Sequence, residues 1–161
     1  MPLKRMPVLA VTSFLGLLVL CAAAAGAPLP NRLGPWTASS RDTVPFRTAS
    51  EDLGTWHNRV YARHAPAARI EAVLMEGAGP GTLRVPPKKV DAVDLPIGFG
   101  SRYRTIEIAG HRAILEDQDL LGLALAIELG KDRTLTLESA GTTREELIEF
   151  AEKMVGALTK R

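Results

Sequence analysis

Apolar and polar positions alternate with a period of two over residues 121–129. Leu121, Leu123, Leu125, Ile127 and Leu129 fall on one side, and Gly122, Ala124, Ala126 and Glu128 on the other. That is the pattern of a strand with one large-residue face and one small-residue face. Gly130-Lys131-Asp132 turns the chain into residues 133–138, where Leu135 and Leu137 alternate with Thr134, Thr136 and Glu138. Further back, Ile106 and Ile108 share a face in residues 103–108. Ala109-Gly110 reads as a hairpin turn returning through residues 111–116, with Ala113 and Leu115 on one face. Strict alternation puts Arg104 on the isoleucine face, which places it at a sheet edge or a register irregularity. Residues 82–85, stopped by Pro86-Pro87, and residues 90–95 are shorter strand candidates, and residues 77–81 form a glycine-rich loop.

The period changes near the C-terminus. Leu147, Phe150, Ala151, Met154, Val155 and Leu158 make one apolar stripe at helical spacing. Thr142-x-x-Glu145 and Thr143-x-x-Glu146 both match a capping box. Upstream, Leu53, Trp56 and Val60 recur at intervals of three and four behind Ser50-Glu51-Asp52, which predicts a short helix near residues 50–64 capped by Ser50. Residues 68–75 suit either a strand or a buried helical turn. Residues 26–49, with four prolines from Pro28 to Pro45 and no period, read as an irregular arm held to the domain by Trp36 and Phe46. The predicted fold is α+β: an antiparallel sheet of about five strands packed against the C-terminal helix, with the short helix near 50–64. The arm would lead into a single α+β domain over residues 50–161.

Residues 1–25 have the three parts of a signal peptide: Lys4 and Arg5, an apolar stretch from Val8 to Leu20, and a small-residue run ending near Ala25. Two alternatives share the same address. Leu18-Val19-Leu20-Cys21 resembles a lipoprotein signal, and Val8 to Ala27 is long enough to remain as an uncleaved membrane anchor. All three predict an extracytoplasmic, periplasmic or secreted body, with a membrane tether in the latter two.

Charge sharpens this picture. The chain has 20 Lys and Arg against 18 Asp and Glu. Two of the basic residues lie in the leader and no acid precedes Asp42, so the body is neutral. Nucleic-acid binding needs a clustered positive field, and none is present; no nucleic-acid partner is expected. The only cysteine, Cys21, lies in the leader, so no disulfide supports the body.

Two segments, Ile106-Glu107-Ile108-Ala109-Gly110-His111-Arg112-Ala113-Ile114-Leu115 and residues 143–154 with Glu145-Glu146-Leu147-Ile148, resemble an uncharacterised bacterial cell-envelope domain family. That domain of unknown function occurs C-terminal in secreted or membrane-tethered proteins, some of them anti-sigma-like or lipoprotein-carrier-like. The resemblance spans residues 103–155. It implies an envelope-associated module and assigns no catalytic residues.

The candidate chemistry is sparse. On a helix His57, Tyr61 and His64 would share one face, and two histidines can begin a metal site, but further converging ligands are missing. No metal, cofactor or catalytic residue is therefore assigned. Glu116, Asp117 and Asp119 form an acidic turn. Counted from Asp117, with Asp119, Gly122 and Glu128, it partly matches a calcium loop, yet Leu121 stands where an oxygen ligand belongs. Arg84, Lys88, Lys89, Arg102 and Arg104 make the one basic patch. The function these observations favour is a non-catalytic binding or regulatory module of the cell envelope. Its partner would be an envelope protein, a peptide or a lipid, the latter two in a pocket between sheet and helix. The alternative is a small extracytoplasmic hydrolase acting through His57 or His64 with an acidic residue.

Overall fold

The computed structural model describes residues 28–77, 89–94 and 100–160. Nine strands build one antiparallel sheet, followed by one helix. The strands are β1 (Arg32–Leu33), β2 (Trp36–Arg47), β3 (Asp52–His64), β4 (Ala67–Glu76), β5 (Asp91–Val93), β6 (Arg102–Ile108), β7 (His111–Gln118), β8 (Gly122–Gly130) and β9 (Arg133–Ala140). The helix is α1 (Arg144–Thr159). The sheet order is β1-β2-β3-β4-β9-β8-β7-β6-β5. One meander runs inward from the β1 edge. The chain then passes to the far edge, and a second meander runs back until β9 lies beside β4.

The expectation of about five strands with a second helix is thus corrected: the fold is mostly β. Residues 50–64 are not helical. Their apparent cap is a hairpin turn, in which Thr48 Oγ1 accepts from Glu51 N at 3.0 Å. Ser, Thr and Asp serve turns and caps by the same side-chain bonds, so that signal is ambiguous in sequence. Gly54, which weakens a helix, is required by the strand. It has φ +132°, and a Cβ there would lie 2.1 Å from the Glu76 carbonyl oxygen of β4. The expected arm supplies β1 and β2. Its polar run from Ser39 to Thr43 lies along the outer part of the sheet, where β1 is too short to cover it. Pro45 is tolerated there because an edge strand need not donate every N–H.

The second meander follows the predicted alternation from Leu123 onward in β8 and in β9, but Leu121, expected on the large-residue face, lies in the turn before β8 and is 66% exposed. Residues 68–75 fall within β4. The hairpin at Ala109-Gly110 has positive φ at both residues, 47° and 82°. Residues 82–85 lie outside the described residues. Thr143 caps α1: its side chain accepts from Glu146 N at 3.2 Å, and Glu146 Oε2 accepts from Thr143 N at 3.0 Å.

Register aligns the inward residues into rows. Arg59, Ala72, Leu137, Leu125 and Leu115 are successive cross-strand partners, as are Leu74, Leu135, Ile127 and Ala113. α1 lays Leu147, Phe150, Met154 and Val155 on these rows, all at most 1% exposed. Phe150 meets Trp36 and Tyr61 edge-on, with ring centroids 5.5 and 5.2 Å apart. Tyr61 donates to the Pro30 carbonyl at 2.7 Å, fastening the N-terminal segment over the core. Burial pushes the Tyr61 phenol up to about 12.

α1 touches β1 and also β6. These strands stand seven places apart in the sheet order, so α1 reaches across most of the sheet. One face is closed over the helix, and the other has no covering element among the described residues.

Candidate functional site

The strand geometry separates the two histidines. Along β3, His57 and Tyr61 point toward the helix side and His64 points away. Seven residues of strand put His57 and His64 about 23 Å apart. Among the described residues no group of three or more His, Cys, Asp and Glu side chains is placed to hold a metal. His111 is half-buried, with Nδ1 3.1 Å from the Glu128 carbonyl oxygen.

His57 has partners that its sequence neighbourhood does not suggest. Nδ1 is 3.2 Å from Thr43 Oγ1 on β2, and Nε2 is 3.5 Å from Glu76 Oε2 on β4. Arg133 of β9 holds the other carboxylate oxygen, Nε to Oε1, at 2.8 Å. Four adjacent strands thus contribute a hydroxyl, an imidazole, a carboxylate and a guanidinium. Burial lowers the His57 pKa and Arg41 lowers it further, against the raising influence of Glu76. The neutral ring can donate from Nε2 to Glu76 and accept from Thr43. Thr43 is exposed near the sheet edge, however, and none of these side chains lines the small cavity at the start of α1 or the depressions on the helix-free face.

The acidic turn is divided between two faces. Glu116 points outward. Asp117 points inward to Arg144 at 2.9 Å, and Asp119 meets Arg102 at 3.6 Å. Gly122 and Glu128 sit near opposite ends of β8, so the calcium-loop spacing does not close around an ion. Of the basic patch, Arg84 and Lys88 lie outside the described residues, and Lys89 is exposed. Arg104, expected at a sheet edge or a register irregularity, instead lies on β6 in regular register between Asp91 of the short edge strand β5 and Leu115 of β7. With Arg102 and Arg144 it lines a cavity of about 60 Å³ between the sheet and the start of α1, shared with Asp91 and Asp117. That volume is well below the ~300–1,000 Å³ of small-molecule sites. Farther along α1 the interface is packed by Leu147, Phe150, Met154 and Val155, all at most 1% exposed.

Concavity is found on the helix-free face. Three depressions of about 250, 230 and 330 Å³ adjoin one another there. Each is lined by Glu138, and neighbouring ones also share Glu116, Ala124 or Leu121. Together they form a groove across β7, β8, β9 and β4. Its floor is the small-residue face of β8: Gly122, Ala124 and Ala126 lie between the longer side chains of flanking strands. Tyr103, Ile114 and Thr136 wall the apolar end. At the other end the β7–β8 turn projects Leu120 and Leu121, which are 86% and 66% exposed. Gly122 is essential to this trough, because a Cβ would come within 2.3 Å of the Ser139 carbonyl oxygen.

Carboxylates cross the groove in one row: Glu71, Glu138, Ala124 and Glu116 are successive cross-strand partners. Glu71 accepts from Asn58 Nδ2 at 2.7 Å and has Arg69 at 3.7 Å. Glu116 accepts from Gln118. No described side chain pairs with Glu138. The Tyr103 hydroxyl titrates above its ordinary range. A hydrogen bond with Ser101 pulls it down, but the hydrogen bond and charge of Glu116, desolvation and Asp94 together outweigh that. The groove is apolar along its floor and negative across its middle.

Among the described residues no helix is long and apolar enough to cross a membrane, which says nothing of strand-built membrane proteins. No protein-family model matches the chain, and neither a curated protein nor a solved structure is significantly similar to it.

Proposed function

We propose that this chain is an exported, non-catalytic binding module of the bacterial cell envelope, and that the groove on the helix-free face is its working surface. The leader-like residues 1–25 and the resemblance of residues 103–155 to an envelope domain support the address. One observation carries the function. Side chains fill most of the helix side of the sheet, whereas the other side carries a continuous groove with an apolar floor and two exposed leucines at its lip. A groove of this shape suits an extended polypeptide of a partner protein. A lipid carrier would need an enclosed apolar chamber, and the small arginine-lined cavity does not provide one.

The hydrolase alternative draws support from the Thr43–His57–Glu76 contacts, which follow the order nucleophile, base and carboxylate. The groove on the helix-free face does not reach these residues. Replacement of His57 by Gln is expected to leave partner binding unchanged. A hydrolytic activity abolished by His57→Gln in a folded protein would establish the alternative instead.

The binding reading is tested by expressing the full chain in a bacterial host with a photo-crosslinking amino acid at position 126 or, as control, at the exposed α1 position 152. Fractionation and intact mass would be read from the same cells. The expected result is an extracytoplasmic protein that forms a discrete adduct from position 126 and none from 152, with the adduct lost on Ala124→Arg. Equal adducts from both positions, or a cytoplasmic protein with its leader retained, would overturn the reading.

A further inference from the structure

The groove has a chemical polarity that narrows its ligand, and this step rests on the binding reading above. Glu138 and Glu116 flank Ala124 from the two neighbouring strands, about 10 Å apart at the backbone. Ala124 is too short to keep them apart sterically or to neutralise them. Glu71 lies directly opposite Glu138 on its other side, and like charges facing each other across strands are destabilising. Glu71 is compensated by Asn58 and Arg69; Glu138 has no such partner among the described residues. Gln118, which lines the same groove, keeps Oε1 buried without a hydrogen-bond partner among the described residues. Among the described residues the cation that lines the groove, Arg69, stands at its β4 end beside Glu71, none lines the depressions over Ala124, and the Gln118 amide N–H there is already given to Glu116.

The apolar part lies at a fixed distance. Ala126 is two residues along β8 from Ala124, about 6.7 Å, which is also the same-side repeat of an extended peptide. Tyr103 and Ile114 wall that end. We infer that the groove takes an extended peptide segment with a lysine or arginine side chain over Ala124, between Glu138 and Glu116, and an apolar side chain two residues away over Ala126. The cation would neutralise the carboxylate row, and its stem would cover the alanine floor, as long basic side chains do on apolar surfaces. The ligand class is thus a basic–x–apolar segment, and acidic segments are rejected by the same row.

The test is an NMR titration of the full body of the protein with two capped hexapeptides. One has lysine at its third position and valine at its fifth, in a threonine background; the other replaces that lysine with glutamate. Wild type is expected to bind the lysine peptide at least tenfold more tightly, and Glu138→Gln to cut that preference severalfold. Glu138 is exposed, so Glu138→Gln should remain folded, with thermal unfolding as the check. Preference for the glutamate peptide at the groove would overturn the cationic ligand and leave the groove as the binding surface. Failure of both peptides to move groove signals, in a protein that still forms the position-126 adduct, would overturn this inference alone. Loss of the adduct as well would remove the reading beneath it.

Discussion

The two faces of the sheet are built from the same strands by opposite rules. On β8, Leu125 and Ile127 face α1 and are fully buried, while Ala124 and Ala126 face outward and stay partly exposed. On β9, Leu135 and Leu137 face inward and Thr136 and Glu138 outward. Large side chains on the covered face each contribute about 1.5–3 kcal/mol through burial. On the open face the same side chains would make a broad sticky patch. Short residues avoid that and leave a trough. A strand that alternates large with very small residues is therefore doing two jobs: building a core on one side and a groove on the other.

That contrast predicts unequal responses to matched substitutions. Leu137→Ala on the covered face should cost about 3–4 kcal/mol, as core truncations do. Its neighbour Thr136→Ala on the open face should cost less than about 1 kcal/mol. Urea unfolding of the pair measures both, and equal losses would mean that the two faces do not differ in packing. Gly122→Ala is next, at about 2 kcal/mol or more. A side chain there meets the Ser139 carbonyl and must adopt φ +98°. Thr143→Ala, which removes the α1 cap, should cost about 1 kcal/mol and act on the covered side only, leaving groove ligand binding intact.

How much of the fold is visible in the sequence follows the same division. Strands β6 to β9 and α1 are legible because the central covered positions of each, such as Ile106 and Ile108, Ala113 and Leu115, Leu125 and Ile127, and Leu135 and Leu137, are apolar and regularly spaced, with polar covered residues such as Arg104 and Asp117 kept toward the strand ends. β3 is not, because the covered face there carries His57 and Arg59, whose polarity breaks the alternation. Arg59 is 2% exposed and donates to Asn31 of the N-terminal segment, a partner 28 residues away that no local pattern announces. Meanwhile Leu53, Trp56 and Val60 mimic a helical stripe by coincidence. β2 looks like a loop because most of it lies along a polar edge. The floor of the groove is plain in the small-residue face of β8. Its acidic row is hidden, because Glu71 and Glu138 meet only once β4 pairs with β9 across the long connection between the two meanders.

The smallest expected effect concerns pH. Because His57 titrates below its usual value of 6.5 in the folded protein, the unfolded chain binds its proton first as pH falls. The folded state therefore loses stability as pH drops through the unfolded value, and is unaffected by this group above it. Wild type should lose more stability than His57→Gln between pH 7.5 and 5.5. If the variant showed the steeper loss, Glu76 would be stabilising His57 in its charged form and the shift would run upward instead.

The most direct test of the open face as the working surface is the footprint of the lysine peptide on the backbone amide spectrum. Shifts should cluster at Ile114, Glu116, Leu121, Ala124, Ala126 and Glu138, with α1 and the His57 contacts silent. A footprint centred on Thr43, His57 and Glu76, or on the arginine-lined cavity at the start of α1, would contradict the account.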